Sequence, residues 1–144
     1  SCGKCSPCRI GNKRMEEILD KITQGKGTMD DLDELKSLAG VIKDTALCGL
    51  GQTSPNPVLS TMNNFWDEYV DHVVNHKCKA HKCKALRVYQ IDETKCKGCT
   101  ACARACPADA IKGEIKQPHK IDVNKCIRCG ACMEKCKFNA VTVQ

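Results

Sequence analysis

Four cysteines at C-x2-C-x2-C-x3-C spacing occur twice in this chain, thirty positions apart, and no other feature restricts its folding as much. The first set is Cys96, Cys99, Cys102 and Cys106, with Pro107 directly after; the second is Cys126, Cys129, Cys132 and Cys136. Thiolates three residues apart sit on one tight loop, where their sulfurs converge on a single metal cluster. Close C-x2-C neighbours are poor disulfide partners for each other and good metal ligands. Structural zinc seldom uses four cysteines in so tight a ladder with a duplicate. The flanking residues repeat as well: D-E-T-K-C-K-G-C-T-A-C-A-R-A-C-P-A-D-A-I aligns with D-V-N-K-C-I-R-C-G-A-C-M-E-K-C-K-F-N-A-V. Duplication at a fixed offset signals a structural repeat.

The doubled ladder resembles the ligand run of bacterial two-cluster ferredoxins, in which the fourth cysteine of each run reaches the other cluster. That resemblance implies one [4Fe–4S] cluster on Cys96, Cys99, Cys102 and Cys136, and a second on Cys126, Cys129, Cys132 and Cys106. Cys136 is followed by Lys137 where the family has proline. Short alternating runs at 86–91 and 140–143 read as edge strands, and 111–115 with 120–123 as a central hairpin.

Fourteen cysteines in 144 residues would suggest a disulfide scaffold in a secreted protein. The metal-type spacings argue otherwise, and no signal peptide or long apolar run is visible, so a reducing cytoplasm and no membrane are expected. With one Trp, two Tyr and two Phe, the chain needs staples, and the ferredoxin part is expected not to fold without iron. The formal charge of +6 counts every cysteine as neutral. Each cubane with four thiolates carries about −2, so three would offset the excess. Lys95, Lys97, Lys125, Arg128, Lys135 and Lys137 flank the ladder cysteines, as local compensation requires. A basic zinc-stapled nucleic-acid module is the competing reading; scarce aromatics for base stacking and the duplicated ladder count against it. The chain begins with Ser1 beside a ligand-type Cys2, which reads as the C-terminal piece of a longer protein.

Residues 1–75 read as helical. Met15, Ile18, Leu19 and Ile22 recur at helical spacing, and Gly25 and Gly27 end that helix. Thr28 and Asp31 resemble a capping box ahead of a stripe of Leu32, Leu35, Leu38, Val41 and Ile42. Asn56 as N-cap with Pro57 at the first helical position starts a third helix. Its stripe of Val58, Leu59, Met62, Phe65, Trp66, Tyr69, Val70 and Val73 is assigned to core packing.

A third quartet remains: Cys2, Cys5 and Cys8 in S-C-G-K-C-S-P-C-R-I-G, and the distant Cys48 in T-A-L-C-G-L-G. Three close thiolates plus one from afar is again a cubane pattern, though zinc is an alternative. Gly3 lets the backbone approach the sulfurs and Pro7 stiffens the loop. These motifs look like the C-terminal helical domain of the NADH-binding flavoprotein subunit of respiratory complex I, which binds one [4Fe–4S] cluster through four such cysteines. With the appended two-cluster domain, the chain is similar to the beta subunit of soluble NAD(P)-linked iron hydrogenases, including electron-bifurcating ones. Related subunits occur in NAD-dependent formate dehydrogenases, and nothing in the chain discriminates the two. The resemblance implies FMN and NAD(P) sites upstream; no glycine-rich nucleotide loop is present in this sequence. It implies as partners a hydrogenase catalytic subunit, a small thioredoxin-like [2Fe–2S] subunit and an external ferredoxin.

Cys78 and Cys83 are left, with His72, His76 and His81 nearby; Cys and His at short spacing suit Zn2+. In the hydrogenase beta subunits a similar H-x5-C-x4-C stretch binds zinc, which implicates His72, Cys78 and Cys83. The fourth ligand is left open among His81, His76 and a group outside the chain, and an exposed linker with two thiols is the bland alternative. His119, beside Pro118 in a turn, reads as a surface histidine. The expected architecture is α+β: a helical iron–sulfur domain at 1–75, a Cys/His linker at 76–85, and at 86–144 a ferredoxin-like 2[4Fe–4S] domain with short antiparallel strands and two short helices. No catalytic acid, base or nucleophile stands out, so the expected work is electron relay, with the linker as a hinge.

Overall fold

The computed structural model describes residues 1–143; Gln144, the last residue of the expected third segment, lies outside the described residues. The chain divides into two compact units, Ser1–Cys78 and Lys79–Gln144, so the divide falls within the 76–85 stretch. It is mixed in class, helical in the first unit and built of short strands and helices in the second.

In the first unit, α1 (Ser6–Thr23) begins inside the cysteine motif, with Cys5 as N-cap and Pro7 in its first turn. Proline fits there because its missing N–H would have no helical partner. Gly25 ends the turn after α1 in a left-handed conformation. Helix α2 (Met29–Thr45) opens on a complete capping box: the Thr28 hydroxyl accepts from the Asp31 N–H, and the Asp31 carboxylate accepts from the Thr28 N–H. Asp31 also bonds Lys21 at 2.8 Å, tying α2 to α1. Leu32, Leu35, Ala39 and Ile42 are fully buried against Met15, Ile18 and Ile22 of α1.

Three expectations are corrected. Val41 faces solvent; it lies one residue before the buried Ile42, off the stripe. The expected third helix is two, α4 (Asn56–Asn64) and α5 (Trp66–Val73). Phe65, at φ −131 and ψ 38, serves as C-cap of one and N-cap of the next. Its N–H donates to Thr61 O, and its carbonyl accepts from Glu68 and Tyr69. The break turns Phe65 and Trp66 outward, while Met62 and Val73 stay in the core. The cap of α4 is Pro55, whose carbonyl accepts from the Leu59 N–H, so Asn56 is already helical. A short helix, α3 (Gly49–Thr53), was not expected; it starts directly after Cys48.

In the second unit a 3-10 turn at Lys84–Leu86 precedes β1 (Tyr89–Ile91), so the first strand is shorter than the 86–91 run. Then come α6 (Ala101–Arg104), β2 (Ile111–Lys112), β3 (Lys120–Ile121), α7 (Ala131–Lys135) and β4 (Val141–Val143). Strands β1 and β4 pair antiparallel, with Ile91 opposite Val141; β2 and β3 pair antiparallel, with Ile111 opposite Ile121. The opening strand of one half thus pairs with the closing strand of the other. Matching bonds recur at the thirty-residue offset: Asp92 N–H to Ala140 O and Asp122 N–H to Ala110 O, both 2.7 Å. Left-handed residues match too, Gly98 with Arg128, Thr100 with Gly130 and Asp109 with Asn139.

Candidate metal centres

Strand pairing decides which cysteines meet. Cys96 follows β1, and Cys136 precedes β4; antiparallel pairing of those strands returns Cys136 to the first loop. One cavity is lined by Cys96, Cys99, Cys102 and Cys136 together, with Ile91, Phe138 and Val141 among its apolar walls. The same logic through β2 and β3 carries Cys106 toward the loop that opens at Cys126.

These sulfurs are part of the core. Cys102 and Cys132 pack with Tyr89, Ile111 and Val141, and Cys106, Cys126 and Cys136 lie against them. Burial pushes the Cys132 thiol up to about 11, and the neighbouring Cys126 and Cys129 reinforce it. Cys102 is raised likewise, first by burial and then by Cys96 and Cys99. Buried, mutually repelling thiols become thiolates only when a cation replaces their protons. Backbone N–H groups already point at several sulfurs: Ala110 at Cys106, Ala140 at Cys136 and Arg128 at Cys126, each 3.4 Å. Donors aimed at sulfur fit an anionic cluster, since they favour the charged ligand. The two ladders therefore fit cubane ligation.

In the first unit Cys5 and Cys8 meet the segment that carries Cys48. The Leu47 N–H, next to Cys48, is the main cause holding the half-exposed Cys5 thiol below its ordinary range, with the Cys8 backbone second. Cys8 Sγ accepts from Asn12 Nδ2 at 3.4 Å, and Asn12 in turn accepts from Ser54 Oγ at 3.0 Å. Gly51 presses on this loop: a Cβ there would lie 2.9 Å from Ala46 Cβ and 3.3 Å from Cys8 Cβ. Glycine in α3 thus lets the Cys48 segment reach Cys8 in the first turn of α1. Cys2, Cys5 and Cys48 keep exposed or half-exposed edges, and Cys8 is buried. Four thiols from two segments, one lowered and one hydrogen-bonded at sulfur, also fit a cluster.

At the end of the first unit, the ligand atoms of His72 and Cys78 lie within 4.8 Å of each other. His72 Nδ1 is 2.6 Å from the Glu68 carbonyl. A carbonyl only accepts, so Nδ1 carries the proton and Nε2 the lone pair that metals take. Cys83 and His81 follow in the second unit. Among the described residues, His81 Nδ1 is buried without a hydrogen-bond partner.

His119 contradicts the expectation of a surface histidine. It is 1% exposed and lines the cavity of Cys96, Cys99, Cys102 and Cys136. The neighbouring Pro118 suggested a turn, which is correct, but the turn folds inward over the cysteine loop. Lys116 N–H donates to Gly98 O at 3.1 Å.

Comparison with known proteins extends this picture. Residues 1–72 match the NADH-ubiquinone oxidoreductase-F iron-sulfur binding region, and residues 88–137 match a 4Fe-4S dicluster domain. The NADP-reducing hydrogenase subunit HndC of Solidesulfovibrio fructosivorans is 65% identical over 144 residues, covering all of this chain and 29% of that protein. The NAD-reducing hydrogenase HoxS subunit alpha of Cupriavidus necator is 39% identical over 77 residues, 54% of this chain and 13% of its own length. The NADP(+)-dependent formate dehydrogenase subunit beta of Moorella thermoacetica is 38% identical over 65 residues, 45% of this chain and 9% of that protein. The chain thus spans less than a third of each of these relatives.

Proposed function

The chain belongs to the family of the NADH-ubiquinone oxidoreductase-F iron-sulfur binding region, and from that premise we propose that it is the electron-relay part of an NAD(P)-linked hydrogenase subunit. The observation that carries the reading is the cavity walled by thiols from both ladder halves. Three [4Fe–4S] clusters are proposed: on Cys2, Cys5, Cys8 and Cys48; on Cys96, Cys99, Cys102 and Cys136; and on Cys126, Cys129, Cys132 and Cys106. When bound, such clusters take up and release one electron at a time. The chain's own residues fix their positions, aim N–H groups at the sulfurs and wall them with Ile91, Ile111 and Val141. The half-exposed Cys2 quartet is the proposed point of entry for electrons from a flavin that exchanges hydride with NAD(P) elsewhere in the parent subunit. The ladder pair is the branch toward a hydrogenase catalytic subunit or an external ferredoxin.

A hydrogenase context is favoured over a formate dehydrogenase because likeness to the hydrogenase subunit HndC runs through the linker and both units, whereas likeness to the formate dehydrogenase covers 65 residues. Copurification of the native complex separates them by which catalytic subunit accompanies this chain. A reducing compartment suits so many metal-bound thiols; among the described residues, no helix is long and apolar enough to cross a membrane.

Zn2+ is proposed on His72, Cys78 and Cys83, with His81 as the candidate fourth donor. His72 supports this through its Nδ1 anchor, and His81 through its unpartnered Nδ1. Set between two cluster regions, the ion would act as a hinge for the branch. Altering Cys78 and Cys83 should uncouple ferredoxin reduction from NAD(P)H oxidation; unchanged coupling refutes the hinge. The test of the whole reading is anaerobic iron, sulfide and zinc analysis with EPR of the reduced protein. About twelve iron and one zinc per chain are expected. A preparation holding only a few colourless ions would overturn it in favour of a zinc module.

A further inference from the structure

The turn between β2 and β3 buries a histidine that cluster ligation does not use. His119 and Asp31 are the buried polar residues among those described. Asp31 has its capping partners; His119 is only half satisfied. Its Nδ1 lies 3.1 Å from the Gln117 carbonyl. Its Nε2 is buried with no partner. Leaving such an atom unpaired costs about 1–3 kcal/mol, and the ring lines the cavity of Cys96, Cys99, Cys102 and Cys136.

The backbone is shaped to admit this ring. A Cβ on Gly113 would fall 2.6 Å from His119 Cγ, and one on Gly98 would clash with Gln117 N. Gly98 belongs to the cysteine loop, so the turn that bears His119 is seated directly on it. The thirty-residue offset sets Tyr89 at the position equivalent to His119. Tyr89 is buried too, and its hydroxyl would lie 2.9 Å from a Cβ on Gly130 in the second cysteine loop. Each half therefore presses one ring against a cysteine loop, but only one of the two is an imidazole.

We propose that His119 Nε2 donates a hydrogen bond to a sulfur of the cluster held by Cys96, Cys99, Cys102 and Cys136, and so sets that cluster's reduction potential apart from that of its twin. The inference rests on the cluster reading above. Once thiolates and sulfides fill the cavity it offers only acceptors, so the unpartnered Nε2 that lines it serves there as a donor. A donor to sulfur stabilises the more negative, reduced cluster and raises its potential. The second cysteine loop meets the phenol of Tyr89 in place of an imidazole, and this difference in donor is what sets the two clusters apart within the branch.

The test is an EPR-monitored redox titration of the full cluster-loaded chain, comparing the native sequence with His119→Phe, His119→Gln and the control Tyr89→Phe. His119→Phe should lower one midpoint by about tenfold in the reduction equilibrium, 59 mV for a one-electron couple. His119→Gln, which keeps an N–H donor, should recover part of the shift, and the other two clusters should not move. Should His119→Phe fail to load iron, 15N-histidine labelling of the native chain decides. Nitrogen coupling to a reduced cluster that disappears in His119→Gln supports the proposal; no such coupling overturns it. Full iron with unshifted midpoints overturns this inference alone, whereas absence of iron from the native chain overturns the cluster reading beneath it.

Discussion

Crossed ligation can be read out by counting iron. Each cubane holds four iron atoms, so the native chain should carry about twelve. The cavity places Cys136 with Cys96, Cys99 and Cys102, although Cys136 is only four residues from Cys132. Removing either Cys99 or Cys136 then disables the same cluster. Double substitution Cys99→Ala with Cys136→Ala should cost no more than either alone, leaving about eight iron atoms per chain. Cys129→Ala with Cys136→Ala strikes two different clusters and should leave about four. The assay is anaerobic iron and sulfide analysis after reconstitution, with spin quantitation of the reduced samples. The reverse pattern, about four for the first pair and about eight for the second, would show that each ladder binds its own cluster and would refute the argument from β1–β4 pairing.

Other outcomes test the scaffold. Gly51→Val should push Cys8 aside and remove about a third of the iron while leaving the ladder signals intact, since a Cβ there already lies 3.3 Å from Cys8 Cβ. Leu35→Ala, at a fully buried position, should destabilise the helical unit by about 3 kcal/mol in denaturant unfolding followed by circular dichroism. The Asp31 carboxyl is held below the usual carboxylate range by Lys21 first, and then by the Thr28 N–H and hydroxyl, against the opposing effect of burial. Its stabilisation is therefore present above the ordinary carboxylate pKa and is lost as pH falls through the lowered folded value. Asp31→Asn should flatten that acid-side loss in unfolding measured between about pH 5 and 2. Thr28→Ala should cost about 1 kcal/mol at neutral pH. Stripping iron anaerobically with a chelator should unfold the second unit, because raised thiols at Cys102 and Cys132 form much of its core.

What could be read from the chain beforehand follows the range of the forces involved. The ladders and the Thr28–Asp31 box are local, so spacing alone identifies them. The strand pairs were visible as alternating runs, but their true lengths depend on partners across the repeat. The break at Phe65 carries no proline or glycine to announce it; it lies where Asn64 turns its amide back to Ser60 O, and it exposes two residues, Phe65 and Trp66, that periodicity placed in the core. Helix α3 is too short to show a period. The burial of His119 rests on its close approach to Gly113 and on the seating of Lys116 and Gln117 against Gly98, so a lone histidine beside a proline gave no sign of it.

Because β1 pairs with β4 and β2 with β3, neither copy of the duplicated sequence is a module in its own right. Each lends a strand to its sibling and, in the proposed ligation, its last cysteine. A chain cut between the copies would yield two fragments, each with three thiols toward one inorganic core and nothing to close its sheet. The pair must therefore mature, fail and evolve as one indivisible object.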